Sequence, residues 1–438
     1  MRDASTPDTG SKPHSDAEAD ATSPRDVNPP GNEASPDASH DAPVDSARDA
    51  LSDGVTHTDA TDAAKTPLPA NPPQVVDVGG PVLAAPKLVP VFFSNDDPTF
   101  TAELNSFTTN IGASPYWAAT TAEYGVGPAT SLAEVSLTET APATIDDSAI
   151  QTWLQGKLNG NDPAWPANDA NTVYVLYYPT GTSITLDAPS GEETSCTGFS
   201  GYHSSTQLDS NHGSADVAYA VIPRCASLGV LTGIDVATGA ASAQLVESAT
   251  NPYSATTPAY AHVDTAHIEW QLAYGNSEVG DMCAQNAGAF TKLASFPYTV
   301  QRTWSNAAET AGLDPCVPAP AGEVYFNSEP ILTDSLMLVG TQVMGVKVAV
   351  GGSVVVPIDL FSDGATSGPW TVTASDIEAL EGQTPQVTFS FNTPTGQSGD
   401  VLQMTIHAPT ALNGGFDIFI VTSTLGTETQ QWVGVVGN

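Results

Sequence analysis

The pattern of apolar and polar positions changes abruptly at residue 87, where the first continuous apolar run begins. Apolar runs predict buried strands and apolar residues at helical spacing predict helices. The predicted strands and helices are Lys87–Phe93 (strand), Pro98–Ile111 (helix), Asp146–Leu158 (helix), Thr172–Tyr178 (strand) and Val217–Ile222 (strand). This order predicts an α/β or α+β domain over residues 86–320, ending near a Pro-rich segment.

From residue 330 onward the pattern is that of an all-β domain. Turn signals rich in glycine separate seven short runs with strand-like patterning, which are Val343–Val350, Ser353–Leu360, Trp370–Ala374, Gln386–Phe391, Val401–His407, Phe416–Val421 and Gln430–Val436. Seven strands at this spacing predict an immunoglobulin-like β-sandwich over residues 330–438. No charged or histidine cluster stands out in this part, so we expect it to serve support or adhesion.

Residues 1–85 differ from both domains. They contain no Phe, Trp or Tyr, since the first aromatic residue is Phe92, and Pro, Ser, Thr, Ala and acidic residues dominate. Such a segment cannot bury enough apolar surface to offset the entropy of ordering it. We expect a disordered acidic tether.

The charge balance narrows the choice of partners. The chain of 438 residues has 49 acidic and 11 basic side chains, and its net charge is −38. A nucleic acid or an anionic membrane would repel it. The composition favours a protein outside the cell and is compatible with cation binding; we expect an extracellular protein or peptide as a partner, and no nucleic acid.

Four cysteines, Cys196, Cys225, Cys283 and Cys316, lie in the middle domain. An even number in an exported chain predicts two disulfides, and three pairings are open. We favour Cys196–Cys225 with Cys283–Cys316, because short loops close most easily. Four free thiols are the alternative; a cysteine zinc site is not expected, since there is no C-x-x-C pair.

The polar start of the chain bears on its localisation. Met1 is followed directly by polar sequence, with neither a signal peptide nor a transmembrane run. We expect a protein of the bacterial outer-membrane or extracellular surface, exported through a signal segment that this chain lacks. We expect its only membrane contact to be an N-terminal lipid anchor, which was removed from this chain together with the signal segment.

One helix carries the candidate chemistry. Residues 235–251 predict a helix with Asp235 as its N-cap and Pro252 as its stop signal. Positions 243 and 247 are four apart and therefore share a face.

Three segments of the middle domain resemble one family. They are Ala241-Ser-Ala-Gln-Leu-Val-Glu-Ser-Ala-Thr-Asn-Pro252, Glu278-Val-Gly-Asp-Met-Cys283, and Cys196 followed by Gly201-Tyr-His-Ser204. They are similar to segments of secreted proteins related to the plant Exordium or phosphate-induced proteins and of their bacterial lipoprotein relatives. The resemblance covers roughly residues 87–320.

This resemblance implies a zinc-metalloprotease-like (zincin-like) helix with the pattern His-Glu-x-x-Glu, in which the histidine ligates zinc and the adjacent glutamate activates water. Here Ala243 occupies the ligand position and Gln244 the general-base position. The remaining metal-ligand candidates are Glu247, Glu278, Asp281 and His203. The resemblance implies zinc in active relatives and, in this chain, no metal or a weakly bound one.

Two functions follow as hypotheses. The first is a metalloprotease-like protein that is catalytically inactive as written, through natural loss or through deliberate replacement of the ligand and the base. The second is a non-enzymatic surface module for binding or adhesion, in which the helix has always been structural. Serine-hydrolase and nucleotide-dependent chemistry have no support, because their Gly-rich signatures are absent.

Overall fold

The computed structural model describes residues 72–438, apart from residues 161, 189–190, 214, 275–276 and 381. The predicted tether up to residue 71 lies outside the described residues. The helices are α1 (Pro98–Ile111), α2 (Pro115–Thr121), α3 (Asp147–Asn159), α4 (Ile234–Thr250), α5 (Ile268–Tyr274), α6 (Asp281–Ala284), α7 (Asn306–Thr310) and α8 (Ile377–Leu380).

The first seventeen strands are β1 (Val75–Asp77), β2 (Lys87–Phe92), β3 (Thr130–Ser131), β4 (Val135–Ser136), β5 (Thr144–Asp146), β6 (Thr172–Tyr178), β7 (Ser183–Ala188), β8 (Gly191–Thr194), β9 (Tyr202–Gln207), β10 (Asp216–Pro223), β11 (Ser227–Leu228), β12 (Leu231–Thr232), β13 (Tyr260–Val263), β14 (Phe290–Leu293), β15 (Phe296–Gln301), β16 (Thr303–Trp304) and β17 (Cys316–Val317). The later strands are β18 (Phe326–Pro330), β19 (Asp334–Leu338), β20 (Thr341–Lys347), β21 (Ser353–Ser362), β22 (Trp370–Asp376), β23 (Thr388–Phe391), β24 (Thr395–Gly396), β25 (Val401–His407), β26 (Phe416–Leu425) and β27 (Glu428–Gly437).

The central sheet of the α/β lobe has the strand order β3-β2-β6-β10-β9. Strands β2, β6 and β10 are parallel, whereas β9 is antiparallel to β10. Along β6, Val173, Val175 and Tyr177 join the core cluster that also contains residues of α1, α2 and α4. The alternate residues, Tyr174 and Leu176 among them, join the cluster that contains α3. Helices cover both faces of this sheet, which explains why its strands are apolar throughout. The predicted α/β character and the five predicted elements of this lobe are confirmed.

The start of α4 differs from the prediction. Gly233 occupies the N-cap position with φ 63°, and Asp235 lies in the first turn of the helix. Asp235 is therefore not the N-cap. Its carboxylate lies 2.9 Å from Lys292 Nζ, so it pairs with a side chain rather than with the orphan N–H groups.

The C-terminal part is a β-sandwich. One sheet has the order β18-β21-β25-β23 and the other the order β19-β20-β27-β26-β22-β24. All seven predicted strands are present, and β18, β19 and β24 add to them. The buried side chains between the sheets include Ile358, Trp370, Met404 and Phe419.

Residues 72–85, which the sequence assigns to the tether, belong to the folded part of the chain. β1 pairs with β13, and Leu83 is only 1% exposed. The expected tether boundary at residue 85 is therefore wrong for residues 72–85. The pattern missed this segment because β1 is a three-residue strand with no aromatic side chain.

Two disulfides join the four cysteines in the pairing that the sequence favours. Cys196 bonds to Cys225 and Cys283 bonds to Cys316, with Cα–Cα distances of 5.2 and 5.7 Å.

In the described part of the chain, no helix combines the length and apolar character needed to cross a membrane.

Three tryptophans connect the α/β lobe to the sandwich. The ring of Trp270 in α5 lies 5.9 Å from that of Trp304 and 5.7 Å from that of Trp432 in β27. All three residues belong to one hydrophobic cluster that continues through both parts. Aromatic pairs at such distances add to the energy of burial, so the two parts stabilise each other.

We expect Trp432→Ala to lower the free energy of unfolding by about 3–5 kcal/mol, because it removes a buried indole from this junction. Urea unfolding followed by circular dichroism measures the change. Val401→Ala is the control: this side chain is 53% exposed, and we expect a change below about 1 kcal/mol. A Trp432→Ala protein as stable as the Val401→Ala protein would contradict a shared core.

Candidate metal centre

Three segments that are distant in sequence meet beside α4. His203 lies on the edge strand β9, Glu247 lies in the last turns of α4, and Glu278 precedes α6. They are the same three segments on which the family resemblance rests. α4 packs against both β9 and β10, which places its polar face beside the histidine.

His203, Glu247 and Glu278 form a compact cluster whose ligand atoms lie within 4.8 Å of one another. His203 Nδ1 is 3.8 Å from Glu247 Oε2, and His203 Nε2 is 3.5 Å from Glu278 Oε1. The three side chains are 5%, 4% and 7% exposed, respectively. The cluster is thus nearly sealed from solvent.

A main-chain carbonyl fixes the orientation of the imidazole ring. His203 Nε2 lies 3.1 Å from the carbonyl oxygen of Asn251, at the end of α4. A carbonyl oxygen can only accept, so the ring donates to it from Nε2 and presents Nδ1 to the other side of the cluster. Metal-binding histidines commonly donate their second N–H to a backbone carbonyl in this way. Nδ1 faces the side of Glu247 and of Gln244, whose Oε1 is 3.4 Å away.

One face of α4 lines the cluster. Gln244, Glu247 and Asn251 are spaced at i, i+3 and i+7, which places them on the same side of the helix. Gln244, the position expected for the general base, therefore lies at the cluster. Ala243, the position expected for the ligand, is buried at 3% exposure and has no ligand atom to offer.

Neighbouring groups hold the two glutamates in place. The side-chain amide of Asn251 donates to Glu278 Oε1, and the N–H of Glu278 donates to Asp281 Oδ2 at 3.0 Å. Asp281 thus supports Glu278 through its backbone and is not one of the three clustered residues. A Cβ atom at Gly280 would lie 2.1 Å from Glu247 Oε1, so only glycine allows this approach.

The electrostatics of the cluster are those of crowded buried acids. Burial raises the pKa of Glu247 well above its usual range, and the charges of Asp281 and Glu278 raise it further. Burial likewise raises the pKa of Asp281 to about 7, with a further contribution from Glu278. Among the described ion pairs, His203 is the only basic side chain paired with these carboxylates.

The donor set fits a zinc ion. Zinc in proteins is bound by histidine nitrogen and by Asp or Glu oxygen, and catalytic sites use three such ligands. His203, Glu247 and Glu278 would hold the ion, which would neutralise the buried charge and polarise a bound water. No cysteine is involved, because all four are in disulfides.

Sequence reasoning missed the part played by Asn251. This residue orients both His203, through its carbonyl, and Glu278, through its amide. Its position four residues after Glu247 was the available signal, since residues at that spacing share a helix face.

No protein-family model and no curated protein matches the chain. Solved structures with some similarity include domains 4 and 5 of the S-layer protein SbsC, with 16% identity, a TM-score of 0.17, and coverage of 25% of this chain and 53% of that one. A FixG-related protein from Vibrio parahaemolyticus has 11% identity, a TM-score of 0.18, and coverage of 26% and 95%. The titin M3 domain has 15% identity, a TM-score of 0.15, and coverage of 21% and 85%. The chain spans about half of the SbsC fragment, and scores this low carry no argument about function.

The crowded acids predict a pH dependence of stability in the metal-free protein. Folding raises these pKa values, so the folded state binds more protons than the unfolded state between about pH 4, the ordinary carboxyl range, and pH 7. The free energy of unfolding should therefore fall as the pH rises through this window. Glu247→Gln should reduce this fall and stabilise the chelator-treated protein by roughly 1–3 kcal/mol at about pH 8.

Urea unfolding of the chelator-treated protein at several pH values measures both effects. The matched control is Glu103→Gln, which removes one exposed carboxylate from α1. Equal pH profiles for the Glu247→Gln and Glu103→Gln variants would show that Glu247 is not a strained buried acid.

Proposed function

We propose that this chain is an exported surface protein whose α/β lobe is metalloprotease-like but catalytically inactive as written, and whose β-sandwich is an immunoglobulin-like support. The supporting observation is the buried cluster of His203, Glu247 and Glu278 with Gln244 beside it. In the family that the sequence resembles, the position of Gln244 is that of the water-activating glutamate.

Inactivity follows from the chemistry of the amide group. A zinc-bound water needs a base to take its proton as it attacks a peptide carbonyl, and a carboxamide cannot accept that proton. Glu247 and Glu278 would not replace the base, since a bound ion would engage their carboxylates.

We propose that the site still binds a metal, although it does not hydrolyse peptides. Three donors remain, and the buried negative charge favours a divalent cation at the cluster. The loss of a side-chain ligand at Ala243 weakens binding relative to the resembled proteins, so we propose weak zinc binding. Localisation at the bacterial surface and an extracellular protein or peptide partner belong to the same proposal.

A non-enzymatic binding module is the second candidate. The observation that favours it is an apolar hairpin at the edge of the sandwich, where Met337, Val339 and Met344 are 65%, 70% and 48% exposed. Exposed apolar groups close together are typical of protein-interaction surfaces. This reading needs no metal in the α/β lobe.

Restoring the two family residues tests the leading proposal. The double variant Ala243→His, Gln244→Glu should cleave an unfolded protein substrate at least about 10²-fold faster than the parent chain, because a general base contributes 10²–10⁴. A chelator should abolish this activity and added zinc should restore it. The measurement is hydrolysis of a fluorescently labelled denatured protein.

Ala243→His alone is the matched control, since it restores the ligand and leaves the base absent; it should stay inactive. Chelator-sensitive cleavage by the parent chain would overturn the proposed inactivity. A folded double variant that neither binds zinc nor cleaves the substrate would favour the binding module.

A further inference from the structure

The β-sandwich contains a second cluster of acids. Asp376 ends β22, Glu378 lies in α8, and Asp417 lies near the start of β26. Their carboxylates offer ligand atoms within 4.8 Å of one another. The expectation that this domain contains no charged cluster is wrong. Antiparallel pairing of β22 with β26, which sets Asp376 opposite Phe419, brings the three residues together.

Asp376 is the anchored member of this cluster. Its Oδ1 accepts from the N–H of Ala379 at 3.0 Å, and its Oδ2 accepts from the N–H groups of Gln386 and Val387 at 2.6 and 3.2 Å. Asp376 is 1% exposed, and these three backbone donors fix the position of its carboxylate.

Asp417 is buried and unpartnered. It is only 2% exposed, and neither carboxylate oxygen has a hydrogen-bond partner. Glu378 Oε2 is also without a partner, whereas its Oε1 accepts from Gln386 Nε2 at 2.5 Å. A buried carboxylate without a donor costs several kcal/mol. Something that the protein chain does not provide must compensate Asp417.

Basic side chains of the described residues do not neutralise these carboxylates. The ion pairs found among the described residues include none with Asp376, Glu378 or Asp417. Either a proton or a bound cation must therefore lie between the carboxylates.

We propose that Asp376, Glu378 and Asp417 form a binding site for a hard divalent cation of the calcium class. Three carboxylates with no nitrogen or sulfur donor match the oxygen ligands that Ca²⁺ takes, whereas zinc favours histidine and cysteine. Water and backbone carbonyl groups complete such sites. A cation there would connect β22 and α8 to β26, the three elements that carry the ligands.

Calcium should stabilise the full-length protein through this site. After dialysis against a chelator, Ca²⁺ at about a hundredfold excess over its Kd should raise the Tm by on the order of 5 °C. The ionic strength is matched with NaCl, because a chain with a net charge of −38 is also stabilised by screening. Isothermal titration calorimetry of the unmodified chain gives the stoichiometry independently of any variant.

Two isosteric variants locate the ion. Asp417→Asn should lose the calcium-dependent rise in Tm, and Glu378→Gln, which is less buried, should lose most of it. Asp400→Asn removes an exposed carboxylate of the same sandwich and should keep the full response. Glu247→Gln should also keep it, which separates this site from the cluster in the α/β lobe.

Two results would overturn the proposal. The first is no binding of Ca²⁺ by the unmodified chain up to about 10 mM, beyond the range of weak extracellular sites. In that case a proton alone compensates Asp417. The second is a calcium-dependent rise in Tm that persists in a folded Asp417→Asn or Glu378→Gln protein.

Discussion

A carboxylate removed from water has to be neutralised, and this chain has few groups with which to do so. It carries 49 acidic side chains and only 11 basic ones. Both arginines of the described part are already committed, Arg224 to Asp96 and Arg302 to Asp314. The buried acids at Glu247 and at Asp417 are therefore left to protons or to external cations. The shortage of basic residues connects the two candidate sites.

The architecture of the α/β lobe keeps such a costly cluster in place. Its three clustered residues come from an edge strand, a helix end and a loop, and each is fixed independently. The Cys283–Cys316 disulfide holds the segment that follows Glu278, and Cys196–Cys225 joins the segment before β9 to the chain after β10. Asn251, at the end of α4, binds to both other segments. A rigid frame of this kind can keep like charges together that a flexible one would separate.

Sequence reasoning succeeded where the signal is local. Apolar periodicity located the strands, and helix spacing placed Glu247 on the same face of α4 as position 243. Disulfide pairing followed from loop length. The acids around Asp417 could not be foreseen, because strand pairing joins residues about forty positions apart and no local pattern encodes it. Helical spacing places Asn251 on the face of Glu247, but no local pattern indicates that its carbonyl contacts His203 and its amide contacts Glu278.

Whether this cluster binds zinc can be measured by anomalous diffraction above and below the zinc absorption edge, on crystals of the unmodified chain soaked in zinc. We expect a zinc peak bonded to Nδ1 of His203 and to the carboxylates of Glu247 and Glu278, at about 2.0–2.2 Å. Gln244 should lie beside the ion without ligating it. A well-occupied zinc ion elsewhere, with no peak at this cluster, would show that the three residues form a structural network and not a metal centre.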